Sequence, residues 1–152
     1  MTKLTHSVNI QKPLSEVYDL ARQVEKYPNF LPGYVESRII SVRENGALLE
    51  RAARIRGKLV RWKSLVRWKE NEAIHFIQQE GPLKGMWVNW QFDALTPQST
   101  QLTITHLFNL SRPLGLGKII ENWIFKPRLN EIASQVIASF KLACETEKAV
   151  SR

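Results

Sequence analysis

Apolar and polar residues alternate along much of the chain between residues 35 and 110, and a period of two predicts β-strands. The alternation is clearest over residues 58–69. One face of this segment carries Val60, Trp62, Ser64, Val66 and Trp68. The other face carries Arg61, Lys63, Leu65, Arg67 and Lys69. One largely apolar face and one basic face indicate a half-buried strand with its basic side in water.

Seven strands follow from such patterns and from the turn signals between them. The predicted strands cover residues 2–10, 35–43, 47–56, 58–69, about 73–79, 86–93 and 100–110. Asn45-Gly46 is a strong hairpin signal, because these residues readily adopt the left-handed conformations that tight turns need. Further turns are expected at Gly57, Glu80-Gly81-Pro82 and Thr96-Pro97-Gln98.

Two segments have the spacing of threes and fours that is typical of amphipathic helices. The first begins near Pro13, where a missing N–H costs nothing, and ends before the segment 27–33, which contains two prolines and a glycine. The second is a long C-terminal helix. Its apolar stripe consists of Leu116, Ile119, Ile120, Trp123, Ile124, Leu129, Ile132, Ala133, Val136, Phe140 and Ala143. Pro127 lies inside it and is expected to kink it, because proline removes a backbone hydrogen bond.

The order of strand, short helix, six strands and long helix predicts an α+β fold with one domain over residues 1–152. We expect a curved antiparallel sheet of about seven strands wrapped on the C-terminal helix. Such a layout tends to leave an apolar cavity between the sheet and the helix. A fully packed core is the alternative.

Composition sets limits on the class of protein. The chain has 152 residues and a formal net charge of +8, which suggests an acidic partner, with a merely soluble basic protein as the alternative. It contains no run of about eighteen apolar residues that would predict a membrane span, and residues 1–6 lack the apolar core of a signal peptide. Cys144 is the only cysteine, which excludes an intramolecular disulfide and a zinc site with several thiolates. These features predict a cytoplasmic protein.

Three motifs are shared with known families. Residues 27–33 (Tyr-Pro-Asn-Phe-Leu-Pro-Gly) precede Ser37-Arg38-Ile39, and residues 81–84 (Gly-Pro-Leu-Lys) precede Trp90-Gln91-Phe92. Residues 125–129 (Phe-Lys-Pro-Arg-Leu) lead into Phe140. Together they resemble the bacterial ribosome-association toxin and coenzyme Q-binding protein families of the START-like, or SRPBCC, superfamily. The resemblance spans roughly the whole chain and implies a helix-grip fold, and one fold of this kind carries many activities.

A second resemblance is to the aromatase/cyclases of aromatic polyketide synthesis. It rests on Tyr27-Pro28, Tyr34, Trp62, Ser64, Met86 and Trp90. Those proteins carry a Trp-x-Ser-x-Arg pattern whose arginine is proposed to polarise a substrate carbonyl. Trp62 and Ser64 match this pattern, but Val66 stands where the arginine is expected. Arg67 is adjacent in sequence, but alternation places it on the opposite face. The resemblance implies Tyr34 and Ser64 as catalytic hydrogen-bond donors in a cofactor-independent aldol cyclisation and dehydration.

The first functional hypothesis is non-catalytic binding of an isoprenoid quinone, a lipid or an aromatic polyketide in the cavity, with no cofactor and no metal. The expected lining is Tyr27, Tyr34, Val35, Val60, Trp62, Ser64, Val66, Met86, Trp90, His106, Ile120 and Trp123. Ordinary inward packing is the alternative for the aromatic members, and a satisfied core histidine is the alternative for His106. His6, His75 and His106 show no close-spaced metal motif, and Cys144 has no base in evident reach. A polyketide aromatase/cyclase is the second hypothesis.

A basic stripe on the outer face of the strand 58–69 is the candidate docking surface. It consists of Arg61, Lys63, Arg67 and Lys69, with Arg51, Arg54 and Arg56 as neighbours that extend it. An acidic acyl carrier protein fits the cyclase hypothesis, and ribosomal RNA fits a third hypothesis, a ribosome-associating factor. An anionic membrane surface is a further acidic partner, DNA is not expected, and a simple solvated face of the sheet is the alternative. Trp62 and Trp68 point to the other face, which argues against a base-stacking platform.

Overall fold

The computed structural model describes residues 2–55, 57–108 and 126–146 of the chain. Its strands and helices follow in the order β1 (Thr2–Ile10), α1 (Leu14–Arg22), α2 (Tyr27–Phe30), β2 (Tyr34–Arg43), β3 (Gly46–Ile55), β4 (Lys58–Lys69), β5 (Ala73–Glu80), β6 (Trp87–Thr96), β7 (Ser99–Phe108) and α3 (Lys126–Glu145). A 3-10 turn, Val24–Lys26, joins α1 to α2.

The seven strands form one antiparallel sheet with the order β1-β7-β6-β5-β4-β3-β2. Strands β2 to β7 are neighbours in chain order, so each pairs with the next. The first strand instead crosses to the far edge and pairs with β7. The predicted α+β architecture with a curved antiparallel sheet is confirmed. Strand β6 begins at Trp87, just after Met86, and continues to Thr96, beyond its predicted end.

Helix α3 is the described part of the predicted C-terminal helix. Residues 116–125 of that prediction lie outside the described residues, and so does the turn before Pro127 on which the predicted kink depends. Pro127 lies near the start of the described part of this helix. No helix in the described ranges is long and apolar enough to cross a membrane.

Helices α1 and α3 cover part of the inner face of the sheet. Phe140 of α3 packs edge-on against Trp90 of β6, with 5.2 Å between the ring centroids. At the β1 edge, the Lys141 ammonium donates a hydrogen bond to the main-chain oxygen of Asn9. Aromatic side chains bury large apolar areas, so the Phe140 contact anchors α3 to the sheet. The buried face of α1 consists of Val17, Tyr18, Leu20 and Ala21.

Irregular pairing bends the sheet. The register shifts at Tyr34/Glu36 and Ile39/Ser41 between β2 and β3, at Lys63/Ser64 between β4 and β5, and at Ala94/Thr96 between β6 and β7. An extra residue in one strand increases the local twist and bends that strand. Most of these shifts fall in the half of the sheet formed by β2–β5, where they help the sheet to curve.

Asn45 and Gly46, the predicted turn between β2 and β3, are each needed for a different reason. Asn45 has a φ of 55°, the left-handed conformation that asparagine tolerates better than most residues. Gly46 does not have a positive φ. A Cβ at Gly46 would instead collide with the main-chain oxygen of Val66 on β4. This glycine is therefore needed because two strands approach each other closely.

Gly46→Ala is expected to lower the free energy of unfolding by about 3 kcal/mol, because β3 and β4 must separate to admit the methyl group. Gly57→Ala is the matched control. Gly57 has a φ of 80°, but nothing lies within 4 Å of an added Cβ, so only a conformational cost of about 1 kcal/mol applies. Urea unfolding followed by tryptophan fluorescence gives both values. Equal losses in the two variants would show that crowding against Val66 is not the reason for Gly46.

Candidate functional site

A cavity of about 570 Å³ lies between the inner face of the sheet and α3. Its walls come from every strand between β2 and β7, from α2, from the segment 81–86 and from the N-terminal half of α3. The lining residues are Tyr27, Pro32, Gly33, Tyr34, Arg51, Ala53, Arg54, Ile55, Val60, Trp62, Ser64, Phe76, Gln78, Pro82, Leu83, Met86, Val88, Trp90, Ile104, His106, Arg128, Leu129, Glu131, Ile132, Ala133, Gln135 and Val136. Cavities of this size and apolar character are typical of small-molecule sites.

Most of the residues predicted to line a cavity meet in this one. They are Tyr27, Tyr34, Val60, Trp62, Ser64, Met86, Trp90 and His106. Val66 differs from its prediction, because it is fully buried in the packed core and does not border the cavity. Val35 also differs, since its side chain is 49% exposed. Ile120 and Trp123 lie outside the described residues, and binding by any of the lining residues stays a prediction.

Arg51 faces the cavity, and its predicted place beside the basic stripe is wrong. The residue is only 4% exposed. The pairing of β3 with β4 sets Arg51 opposite Trp62, and directly paired residues point to the same side of a sheet. The sequence contains the signal that places it, because β3 has apolar residues at positions 47, 49, 53 and 55, in phase with Arg51.

Three aromatic rings surround the Arg51 guanidinium. Its central carbon lies 5.2 Å from the ring centroid of Tyr27 and 4.9 Å from the centroids of Tyr34 and Phe76. A ring face carries partial negative charge, so these distances allow cation–π attraction. The rings belong to α2, β2 and β5, which are far apart in sequence. The surroundings of Arg51 therefore exist only in the folded protein.

The guanidinium retains unused hydrogen-bond donors. Its Nε and Nη2 are buried and have no hydrogen-bond partner within the described part of the chain. No acidic side chain of that part forms an ion pair with it. A buried cation without a counter-ion is costly, and contacts with neutral rings offset only part of that cost. The cavity therefore combines apolar walls with one buried positive charge that has unpaired donors.

Tyr27 is a wall of the cavity whose hydroxyl is already used. The hydroxyl donates a hydrogen bond to the main-chain oxygen of Ala21 at 2.6 Å. Burial raises the pKa of the Tyr27 phenol far above its ordinary value, although the charge of Arg51 opposes this shift, so the hydroxyl stays protonated. The ring stacks on Trp90, with centroids 5.8 Å apart and planes at 19°. Tyr27 thus orients neighbouring rings and does not supply a proton.

Tyr34 and Ser64, the residues implied as catalytic, border the cavity from β2 and β4. The Tyr34 ring lies 5.9 Å from Tyr27 and 6.0 Å from Trp62. Ser64 is 3% exposed and sits at the register shift between β4 and β5. The cavity therefore holds two hydroxyl groups together with the guanidinium of Arg51. Arg51 lies on β3, the strand next to β4, and borders the same cavity.

Gly81 lies close to Trp62 and Gln78, two residues of the cavity wall. Gly81 has a φ of 123°, and a Cβ there would lie 2.7 Å from the Cβ of Trp62 and 2.5 Å from the side-chain nitrogen of Gln78. Only glycine combines this conformation with such a close approach. The predicted turn at Gly81 is thus also the support that holds Trp62 and Gln78 against the cavity.

His106 borders the cavity from β7. Burial, together with a smaller effect of the nearby His6, lowers the pKa of its imidazole to about 4, so the ring is neutral at pH 7. Nδ1 of His106 is buried and lacks a hydrogen-bond partner among the described residues. His6 is held by Asn130 of α3, with 2.8 Å between Nε2 and Oδ1. The pair of histidines therefore sits where β1, β7 and α3 meet.

His75 and Cys144, for which the sequence predicted no metal-binding or nucleophilic role, lie away from the cavity. His75 packs against Trp87, with 6.2 Å between the ring centroids. Cys144 is 2% exposed in the core, and burial raises the pKa of its thiol to about 12. Within residues 2–55, 57–108 and 126–146, no group of three or more His, Cys, Asp or Glu side chains could hold a metal ion. The polar groups that border the described cavity are therefore hydroxyl, guanidinium, imidazole, amide and carboxylate side chains.

The basic stripe lies on the outer face of β4, and much of its charge is paired. Arg61, Arg67 and Lys69 are exposed, and Lys63 is half-buried. The ion pairs are Arg61–Glu36 at 2.8 Å, Lys63–Glu80 at 3.5 Å and Lys69–Glu72 at 3.1 Å. Arg54 borders the cavity, and Arg56 lies outside the described residues. The outer face of β4 therefore presents basic side chains paired with glutamates, and its charge is mixed.

His106 should make the stability of the protein depend on pH. Because its pKa of about 4 in the folded protein lies below the ordinary value of about 6.5, the unfolded chain binds a proton more readily between these values. The corresponding stability is fully present above about pH 6.5 and is lost as the pH falls toward 4. His106→Gln should therefore flatten the pH dependence of the unfolding free energy over this range.

Urea unfolding at several pH values measures this dependence, with His75→Gln as the matched histidine control. An unchanged slope in His106→Gln would contradict the assignment to His106.

Comparison with known proteins places this geometry among proteins of related fold. The Zhui aromatase/cyclase from Streptomyces sp. R1128 matches with a TM-score of 0.84 at 17% identity, covering 95% of this chain and 93% of that one. A START superfamily protein from Mycobacterium smegmatis matches with a TM-score of 0.79 at 18% identity, covering 94% and 97%. These similarities show the same helix-grip fold.

The sequence itself gives two further matches. The ribosome association toxin RatA from Pseudomonas aeruginosa is 24% identical over 113 residues, which cover 74% of this chain and 78% of RatA. The family model described as polyketide cyclase / dehydrase and lipid transport matches residues 10–145, nearly the whole chain. The protein therefore belongs to the polyketide cyclase/dehydrase and lipid transport family.

Proposed function

We propose that this protein binds a hydrophobic small molecule, with rings or an isoprenoid chain, in the cavity between the sheet and α3. The observation that carries the proposal is the cavity of about 570 Å³ with its predominantly apolar wall. Apolar space of this size is expensive to maintain unless something occupies it, because the side chains around it lose packing contacts. A ligand that buries its own apolar surface there gains free energy in proportion to the area removed from water.

The wall is suited to a ligand that contains flat rings. The rings of Tyr27, Tyr34, Trp62, Phe76 and Trp90 form a continuous set of contacts, with centroid distances of 5.8 to 6.3 Å between neighbours. Aromatic side chains offer large rigid surfaces that stack on other rings at low conformational cost. A quinone ring, an aromatic polyketide or a lipid with a cyclic portion meets this requirement.

Filling the cavity should abolish binding. Val60→Trp places a bulky ring at a half-buried lining position and is expected to weaken the binding of decylubiquinone, 1-decanol and 2-naphthol at least tenfold by volume exclusion. Val42→Trp is the matched control, because Val42 is 78% exposed and does not border the cavity. Isothermal titration calorimetry gives the affinities, and circular dichroism verifies that both variants fold.

Organic extraction and mass spectrometry of the purified protein identify any ligand that co-purifies with it. If the wild-type protein binds none of the three probes and carries no extractable hydrophobic compound, the proposal fails.

Polyketide cyclisation is a second candidate, and the grouping of Tyr34, Ser64 and Arg51 around one cavity favours it. In an aldol cyclisation the enol form of one β-ketone unit attacks the carbonyl carbon of another. The enol O–H proton is lost as the carbon–carbon bond forms, and the carbonyl oxygen gains negative charge before it takes up a proton and becomes the aldol hydroxyl. Hydroxyl and guanidinium donors stabilise such an oxyanion. The apolar walls would hold a flexible poly-β-ketone so that the two reacting carbons meet. Subsequent loss of water completes the aromatic ring.

If the protein is a cyclase, it should convert a carrier-tethered poly-β-ketone to cyclised product above the uncatalysed rate. Tyr34→Phe and Ser64→Ala should each lower that rate by about a hundredfold, since each removes one donor to the oxyanion. Ser15→Ala, on the exposed side of α1, is the control for serine replacement. Liquid chromatography with mass spectrometry resolves the products. Ligand binding without any product above background would leave the protein a carrier and rule out the cyclase.

Ribosome association gains less support from the surface. RatA is named for it, and an electrostatic contact with RNA needs a surface of net positive charge. In the basic stripe, Arg61, Lys63 and Lys69 are each paired with a glutamate, which reduces the local positive field. An acidic carrier protein would meet the same paired charges. The distribution of charge on this face therefore favours small-molecule binding as the primary function.

A further inference from the structure

Arg51 is the feature of the cavity that hydrophobic binding alone does not explain. An apolar ligand needs no charged group, and a buried guanidinium without a counter-ion lowers the stability of a folded protein. Arginine also has a long side chain that normally extends to carry its charge into water. Here the residue is only 4% exposed, on a strand whose inward face is otherwise apolar. The arginine is thus kept inside at a cost to stability.

The surrounding protein satisfies the faces of the guanidinium but not its edges. Tyr27, Tyr34 and Phe76 lie 4.9 to 5.2 Å from its central carbon, and ring faces attract the positive charge without accepting the in-plane N–H groups as strong acceptors would. The Nε and Nη2 donors, which lie in the plane, have no partner in the described part of the chain. Two donors of the planar fork are therefore unpaired beside the cavity that Arg51 borders.

The charges around the cavity do not neutralise Arg51. Glu131 is the acidic residue among the described lining residues, and it is exposed on α3 and forms no ion pair with Arg51. Arg54 and Arg128 also border the cavity and add positive charge at its exposed parts. The cavity is consequently short of negative charge. A guanidinium fork matches the geometry of a carboxylate or another anionic oxygen group.

We propose that the ligand is an acidic amphiphile, with an apolar body against the aromatic wall and one anionic oxygen group bound to the guanidinium of Arg51. This inference rests on the proposed function and specifies the chemical class of its ligand. A hydrogen bond between two ionised groups is stronger than one to a neutral carbonyl, and the dry surroundings strengthen it further. The protein therefore selects acids over neutral compounds of the same shape.

Two kinds of compound carry such a group: aliphatic carboxylic acids and aromatic acids. Both classes share the anionic oxygen group. They differ in the apolar part of the molecule, which is an alkyl chain in one class and an aromatic ring in the other. Decanoate with 1-decanol forms an aliphatic pair, and 2-naphthoate with its methyl ester forms an aromatic pair. Each pair compares an ionised head group with a neutral one on the same apolar body. The ratio of affinities within a pair measures the anion preference, and the ratio between pairs identifies the preferred body.

The full-length protein is titrated with all four compounds at pH 7.5 by isothermal titration calorimetry. For the preferred body, the acid should bind about tenfold or more tightly than its neutral partner, as expected for a hydrogen bond to a charged group. Arg51→Met should remove this preference, so that the acid and its neutral partner then bind with affinities within about threefold of each other. Arg67→Met, on the exposed outer face of β4, is the matched control and should retain the preference.

The outcomes separate this inference from the proposed function. Equal binding of acid and neutral partner by the wild-type protein overturns the inference and leaves hydrophobic binding intact. Failure of every compound to bind overturns both. An anion preference that persists in Arg51→Met, or that disappears in Arg67→Met, also overturns the inference, because the charge would then act from elsewhere. Arg51→Lys provides a second variant with the charge but without the fork, and it should keep only part of the preference.

Discussion

The inner face of a curved, seven-stranded sheet is wider than one helix can cover, and this mismatch governs the rest of the structure. Helix α3 is fastened toward one edge, since Lys141 donates to the main chain of Asn9 in β1 and Asn130 holds His6. The same helix reaches the centre through Phe140, which packs on Trp90. Inward side chains of β3 and β4 are left facing open volume. The cavity is thus a consequence of layer geometry before any ligand is considered.

Aromatic side chains convert this open volume into a defined surface. Each ring in the set from Tyr34 through Tyr27 to Trp90 is held by its neighbours, and the Tyr27 hydroxyl is tied to the main chain of α1. Rings held this way keep their positions when the space beside them is empty, because their few rotatable bonds are already fixed. They also confine Arg51. The result is a preorganised apolar wall with one buried charge at a fixed place, so little reorganisation is required on binding.

The sequence predicted the strands well, because each has one face in the core and polarity reports that face directly. Strand β3 shows where this signal weakens. The apolar residues 47, 49, 53 and 55 are in phase with Arg51, but Leu48 and Ala52 on the outer face make the alternation less distinct. Arg51 was therefore assigned by its charge instead of its position in the alternation. Val66 shows a second limit. Alternation placed Val66 on the correct face of β4. Whether a residue on that face contacts the packed core or the cavity depends on its position along the strand, and that in turn depends on where the helices lie.

The burial of Cys144 has a practical side. Alkylating reagents attack the thiolate, and a thiol with a pKa of about 12 is ionised at pH 7 only to roughly one part in 100,000. Maleimide dyes would therefore not label the native protein, whose sequence has no other cysteine. A cysteine introduced at an exposed position beside the cavity, such as Val35 next to Tyr34, would be the sole reactive handle. The natural chain is already a clean background for a site-specific fluorescent sensor of cavity occupancy.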